Sequence, residues 1–153
     1  MRSVLLAAGL LAAAPIYAAE WERSEADGVI TAAITLSELD YVETLCDAGI
    51  DIPITSISFM VQGNPPRPGT DVEFRFGPQN RIIASIDDEG VIPSQTEDSG
   101  AVFDELIAEM QARSEVLIRL QNGVRQTFPL AGSEAALEGC KADAHKFAVL
   151  DGS

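Results

Sequence analysis

Hydrophobic and polar residues alternate along most of the chain between Glu20 and Ile86, and the alternation is broken only by turn-forming residues. A period of two predicts strands, because successive side chains of a strand point to opposite faces. EWERSEA (20–26), opened by Trp21, predicts a short first strand that Gly28 ends. VITAAITLS (29–37) is rich in β-branched residues and predicts a second. Glu38-Leu39-Asp40 turns the chain into YVETLC (41–46), which Asp47-Ala48-Gly49 ends. In ITSISFMV (54–61) Thr55, Ile57, Phe59 and Val61 form the more apolar set and should face the core. GNPPRPG (63–69) has three prolines, so it can neither complete a strand ladder nor continue a helix and reads as a loop. VEFRF (72–76) puts Val72, Phe74 and Phe76 on one face and Glu73 and Arg75 on the other. Gly77-Pro78-Gln79-Asn80 then turns it back through residues 81–86, with Ile82, Ala84 and Ile86 inward, which predicts a β-hairpin.

The period changes at DSGAVFDELIAEMQAR (98–113). Val102, Leu106 and Met110 recur every fourth residue with Phe103 and Ile107 beside them, which predicts an amphipathic helix capped by Asp98 or Ser99. In SEVLIRLQNGVRQTFPL, a two-residue Asn122-Gly123 turn would put Val116, Ile118 and Leu120 on the face opposite to Val124, Phe128 and Leu130. A three-residue loop, 121–123, brings both sets to one face, opposes Val116 to Phe128, and gives Gly123 the left-handed position of a bulged turn. In TFPLAGSEAALEGC (127–140) Ser133 reads as the N-cap of a short helix, with Leu137, Cys140 and Ala144 on one face and Gly139 limiting its length. The tail HKFAVLDGS either frays or adds a last short strand. The expected fold is α+β: an antiparallel sheet or two-sheet sandwich built from hairpins, with one mid-chain helix and a short C-terminal helix. Late helices and paired strands argue against a parallel βαβ sheet.

The N-terminus changes the compartment. Arg2, the apolar run VLLAAGLLAAA (4–14), Pro15 and the small residues around Ala18-Ala19 have the layout of a secretory signal peptide, residues 1–19. The run is short for a bilayer span, and no later segment approaches eighteen apolar residues. Removal leaves about 134 residues, 20–153, enough for one exported domain with a real core, periplasmic or secreted. It also makes the formal charge of −14 one unit more negative, which repels phosphate backbones and argues against nucleic-acid binding. Cys46 and Cys140, in an exported chain, should form one disulfide closing a loop of 94 residues. In the chain-entropy model such a link is worth roughly 4–5 kcal/mol.

The candidate chemistry is sparse. Gly132-Ser133 lacks the Gly-x-Ser-x-Gly spacing of a nucleophile elbow, and His145 is the sole histidine. With both cysteines in a disulfide no zinc set remains, so neither metal nor cofactor is expected. The acids Asp87, Asp88 and Glu89 before Gly90 read as a solvated turn rather than a Ca²⁺ loop, as does the pair Asp47 and Asp51. No Gly-rich phosphate loop is present, and carboxylate pairs in a chain with 24 acids carry no information without geometry. Arg75, Arg81, Arg119 and Arg125 sit on predicted strands of a cation-poor chain. An outward cluster of them, with Arg75, Arg119 and Arg125 the candidate binding residues, would suit a carboxylate or a partner, although cross-strand pairs with Glu73 explain them more simply.

VEFRF (72–76), VFDEL (102–106) and above all TFPLAGSEAALEGC (127–140) resemble small periplasmic proteins of Gram-negative bacteria, of the invasion-associated locus B type and the type VI secretion accessory type. The resemblance implies an exported, β-rich, non-enzymatic domain. Export, one disulfide, an acidic surface and the lack of a catalytic constellation point to a binding protein with a protein partner, an accessory to envelope or secretion machinery. No catalytic residue carries over. Two other readings stay open: an envelope hydrolase with an acid-based site, and a protease inhibitor presenting GNPPRPG.

Overall fold

A computed structural model describes residues 19–50 and 52–147. The segment read as a signal peptide lies, apart from Ala19, outside the described residues.

The alternating stretches pair into two four-stranded antiparallel sheets. The first runs in chain order: β1 (Glu22–Ala26), β2 (Val29–Ser37), β3 (Asp40–Asp47) and β4 (Ser56–Met60). The second contains β5 (Asp71–Gly77), β6 (Asn80–Ser85), β7 (Glu115–Arg119) and β8 (Arg125–Pro129), in the order β6-β5-β7-β8. α1 (Glu97–Ala112) links the two hairpins of this second sheet, and the short helices α2 (Ser133–Ala136) and α3 (Ala144–Phe147) follow.

The apolar positions of β2 to β8 meet between the sheets, while β1 is exposed throughout. Ile34, Val42, Ile57 and Phe59 from the first sheet and Val72, Phe74, Ile118 and Phe128 from the second are almost fully buried in one core cluster. Phe59 and Phe74 meet edge to face, with ring centroids 5.7 Å apart, a geometry worth about 0.5–1.5 kcal/mol beyond the area it buries. α1 adds Phe103, Leu106, Ile107 and Met110. The fold is therefore the expected α+β arrangement, in its two-sheet form.

The β7–β8 loop fixes the register of the second sheet's last two strands. Val116 opposes Phe128 and Arg119 opposes Arg125, the register of a three-residue loop. Leu120 N–H donates to Val124 O at 2.8 Å, and Gly123 sits at φ +86°. Asn122 Oδ1 accepts the Val124 N–H at 3.1 Å and closes the turn.

Several local expectations are corrected. The α1 cap is Thr96, not Asp98 or Ser99, and Ser99 is its reciprocal partner in a capping box. Hydroxyls at both positions satisfy two of the helix's orphan N–H groups, which one acidic cap could not. Ser133 is not an N-cap either. Gly132 occupies that position in a left-handed conformation (φ +82°), where a Cβ would also lie 3.3 Å from Trp21 O. Trp21 precedes β1 rather than opening it: its ring is buried, and its indole N–H donates to Pro129 O at 3.2 Å. The C-terminal helix stops at Ala136. Gly139 turns the chain at φ +79°, so Cys140 lies after the helix rather than on its face. The described part of the tail is helical, not a strand, and residues 148–153 lie outside the described residues.

Cys46, on β3, is disulfide-bonded to Cys140, with Cα atoms 5.4 Å apart. Both are buried, so the bond fastens the C-terminal segment to the first sheet. Replacing both by alanine is expected to lower stability by about 3–5 kcal/mol, read from the shift of the urea midpoint. Gly123→Ala is expected to cost about 1–2 kcal/mol in the same measurement, from the left-handed strain on a Cβ.

Candidate functional site

Because β5–β8 bury alternate residues, the intervening ones form one outer face. Four arginines there make a band that touches every strand of the sheet. Arg81 on β6 stands opposite Arg75 on β5, and Arg119 on β7 stands opposite Arg125 on β8. The two pairs lie one row apart, since Glu73 opposes Arg119 and Arg75 opposes Leu117. Strands spaced about 4.8 Å apart make the band about 14 Å long. All four side chains are exposed.

Glu73 is the carboxylate inside the band. Arg75 donates to its Oε1 from Nη2 at 2.9 Å and from Nε at 3.2 Å, and Arg81 Nη1 lies 3.5 Å from its Oε2. Among the described residues Arg119 and Arg125 form no ion pair, although they face each other directly. Like charges so placed are destabilising. Pairing with Glu73 thus accounts for Arg75, along its own strand, and for Arg81, across strands; Arg119, which stands opposite Glu73 in register, and Arg125 form no such pair among the described residues. Four of the chain's ten cationic residues stand on one sheet face; with Asp71, Glu73 and Glu115 on the same face it has one positive charge in excess, in a chain with 24 acids overall.

Two clefts are separate from the band. A cavity of about 620 Å³ opens between the proline-rich loop (Asn64 to Pro68) and the β7–β8 turn (Leu120 to Asn122). The loop is pinned rather than loose: Val61 and Asn64 exchange backbone hydrogen bonds, Thr70 N–H and Oγ1 both donate to Arg67 O, and Pro66 is buried. Arg67 is exposed and is the cleft's one charged side chain. A smaller hollow of about 240 Å³ lies between Ile83, Pro93 and the start of α1.

The residue types that would do chemistry are occupied elsewhere. Ser133 is buried, and its Oγ donates to Met110 O at 2.6 Å, so it is a tie between α2 and α1. His145 is exposed and pairs through Nε2 with Asp104 Oδ2 at 2.6 Å. Asp87 Oδ1 accepts the Glu89 and Val91 N–H groups at 2.9 and 3.1 Å, which commits that carboxylate to its own turn. Asp51 lies outside the described residues. Among the described residues no three His, Cys, Asp or Glu side chains are grouped to hold a metal, and no helix is long and apolar enough to cross a membrane.

A family model described as YfjT matches residues 19–137. The chain belongs to the YfjT family. No curated protein matches it, and no solved structure matches it. The YfjT span holds both sheets, α1 and all four band arginines, and ends before Cys140.

Beyond the YfjT span, the chain closes on a buried polar latch that sequence reasoning missed. Asp143 is fully buried. Its Oδ2 accepts the Thr55 N–H at 2.9 Å, and its own N–H donates to Ser94 Oγ at 3.0 Å. Ser94 Oγ donates in turn to Thr55 O at 2.7 Å. Lys146 reaches Asp143 Oδ1 at 3.3 Å and also pairs with Asp47. Burial holds the Lys146 ammonium below the usual lysine range. A serine beside an aspartate and a lysine suggests hydrolysis, but the Ser94 hydroxyl is buried and both donates and accepts within the protein. The latch fastens residues 140–146 to the loops at 47–55 and 92–96. It also rests on α1, where a Cβ at Gly100 would meet the Ala144 Cβ at 2.7 Å. Buried polar loop residues have no periodicity, so nothing in the sequence marked Thr55, Ser94 or Asp143 apart from other turn residues.

Asp143→Ala strands the Thr55 N–H and half-unpairs Lys146. It is expected to cost about 2–4 kcal/mol in urea unfolding. His145→Ala, which removes an exposed pair and leaves Asp104 Oδ1 accepting the Ala142 N–H at 2.9 Å, should stay within about 1 kcal/mol.

Proposed function

We propose that this YfjT-family chain is an exported binding protein without catalytic activity that engages a protein partner in the cell envelope through Arg75, Arg119 and Arg125. The observation that carries the reading is the arginine band, with Arg119 and Arg125 exposed and, among the described residues, unpaired. The apolar N-terminal run supports export, and the disulfide suits an oxidising compartment. The likeness of VEFRF, VFDEL and TFPLAGSEAALEGC to periplasmic accessory families supports a place beside envelope or secretion machinery.

One observation favours a second reading. Arg67 is exposed between two prolines on a pinned loop, as a trypsin-like protease inhibitor would require. Absence of such inhibition by the intact protein dismisses it.

The leading reading is tested by crosslinking in intact cells, then affinity capture of the wild type and of Arg119→Glu/Arg125→Glu. A specific protein captured by the wild type and lost from the variant, at an unchanged unfolding midpoint, is the expected result. Equal capture by both chains contradicts it.

A further inference from the structure

We infer that the arginine band binds an extended acidic segment of a partner protein, with carboxylates at alternate positions, lying across the strands of the second sheet. The inference rests on the reading of the chain as a binding protein and adds the chemistry of what it binds.

The band is a stepped row on a sheet face rather than a pocket, with one arginine on each of four strands and Arg119 and Arg125 one row from Arg75 and Arg81. Along an extended chain, residues facing the same way repeat about every 7 Å, so about 14 Å spans positions i, i+2 and i+4, whose carboxylates meet Arg119 and Arg125 and compete with Glu73 for Arg75 and Arg81. The side-chain type agrees. The band has no lysine, and a guanidinium fork grips a carboxylate through two parallel hydrogen bonds where an ammonium offers a point charge. Glu73 supplies an internal precedent, since its one carboxylate bridges the facing arginines Arg75 and Arg81. Arg119 and Arg125 face each other in the same way and, among the described residues, have no such carboxylate.

The remainder of the face separates peptide from other anions. Beside the arginines stand Ile83, exposed, opposite Glu73 and on the rim of the smaller hollow, and Leu117, half-buried, opposite Arg75. These suit apolar side chains of a peptide, and no aromatic platform for a sugar ring stands among them. A membrane or a long polyanion would also meet the field of the whole chain, which carries −14. Screening limits that field to about 8 Å at physiological salt, so a short acidic segment responds chiefly to the band.

The test is fluorescence anisotropy of a labelled Asp-Thr-Asp-Thr-Asp peptide with the purified, disulfide-intact protein. Expected is saturable binding, weakened about tenfold or more in Arg119→Ala/Arg125→Ala, which loses two charge-assisted contacts. Arg67→Ala should change it less than about twofold, because Arg67 lies off the band. Circular dichroism of each variant confirms folding. Asp-Asp-Asp-Thr-Thr, with the same composition, should bind more weakly. No peptide binding, or equal binding by the double variant, overturns the inference. So does binding of anionic vesicles or a sulfated polysaccharide through the same arginines with none of the peptide. The two readings fail separately. Capture in cells that depends on Arg119 and Arg125, without peptide binding, removes only the acidic segment. Band-dependent peptide binding without any captured protein removes the cellular role and leaves the surface's preference standing.

Discussion

The packing of Phe74 against Phe59, with Ile118 beside Phe74 in the next strand, decides which way every side chain of the second sheet points. Burial on one face of a strand commits the other face to solvent, and a slip of one residue would exchange them. The four arginines face outward because these apolar residues, with Val116 and Phe128, face inward. The three-residue loop at 121–123 holds that register across β7 and β8. The core and the candidate surface are two consequences of one alternation, and the arginines have not been placed at the expense of packing.

Electrostatics gives the band its meaning. A strongly acidic chain could have scattered its few cations among its carboxylates, where each would find a partner. Instead Arg119 and Arg125 face each other with no carboxylate between them among the described residues, and Glu73 is taken by Arg75 and Arg81. Such an arrangement costs some folding free energy through like-charge repulsion. It leaves hydrogen-bond donors of fixed geometry open on a rigid platform. The disulfide and the latch at Asp143 stabilise the molecule from its opposite sheet and its C-terminal segment, so the band need not contribute to stability.

Much of the fold was legible in the sequence because alternation and turn chemistry are local. VEFRF and residues 81–86 announced a hairpin, and the apolar sets around Asn122-Gly123 chose the loop length. The cysteine pair followed from the export reading. What was not legible depends on long-range placement. That β5 pairs with β7 across the intervening α1 has no local signature, yet this pairing turns Arg75 and Arg119 from separate strand residues into neighbours. Arg81, noted on a strand but not among the candidate binding residues, stands opposite Arg75 through the local β5–β6 hairpin and joins the band once β5 meets β7. Gly132 displaced Ser133 as the cap because the chain there must pass close to Trp21, a contact from the far end of the sequence. The latch joins Thr55, Ser94 and Asp143 from three loops, and buried loop polarity leaves no periodic trace.

The central claim is that the arginine face, rather than the cleft beside the proline-rich loop, is the surface that recognises other molecules. Nitrogen-15 NMR of the arginine Nε–Hε groups during titration with the captured partner, or with an acidic peptide, tests it most directly. Shifts confined to Arg75, Arg81, Arg119 and Arg125 are the predicted result. Shifts confined to Arg67, with the band unmoved, would contradict it.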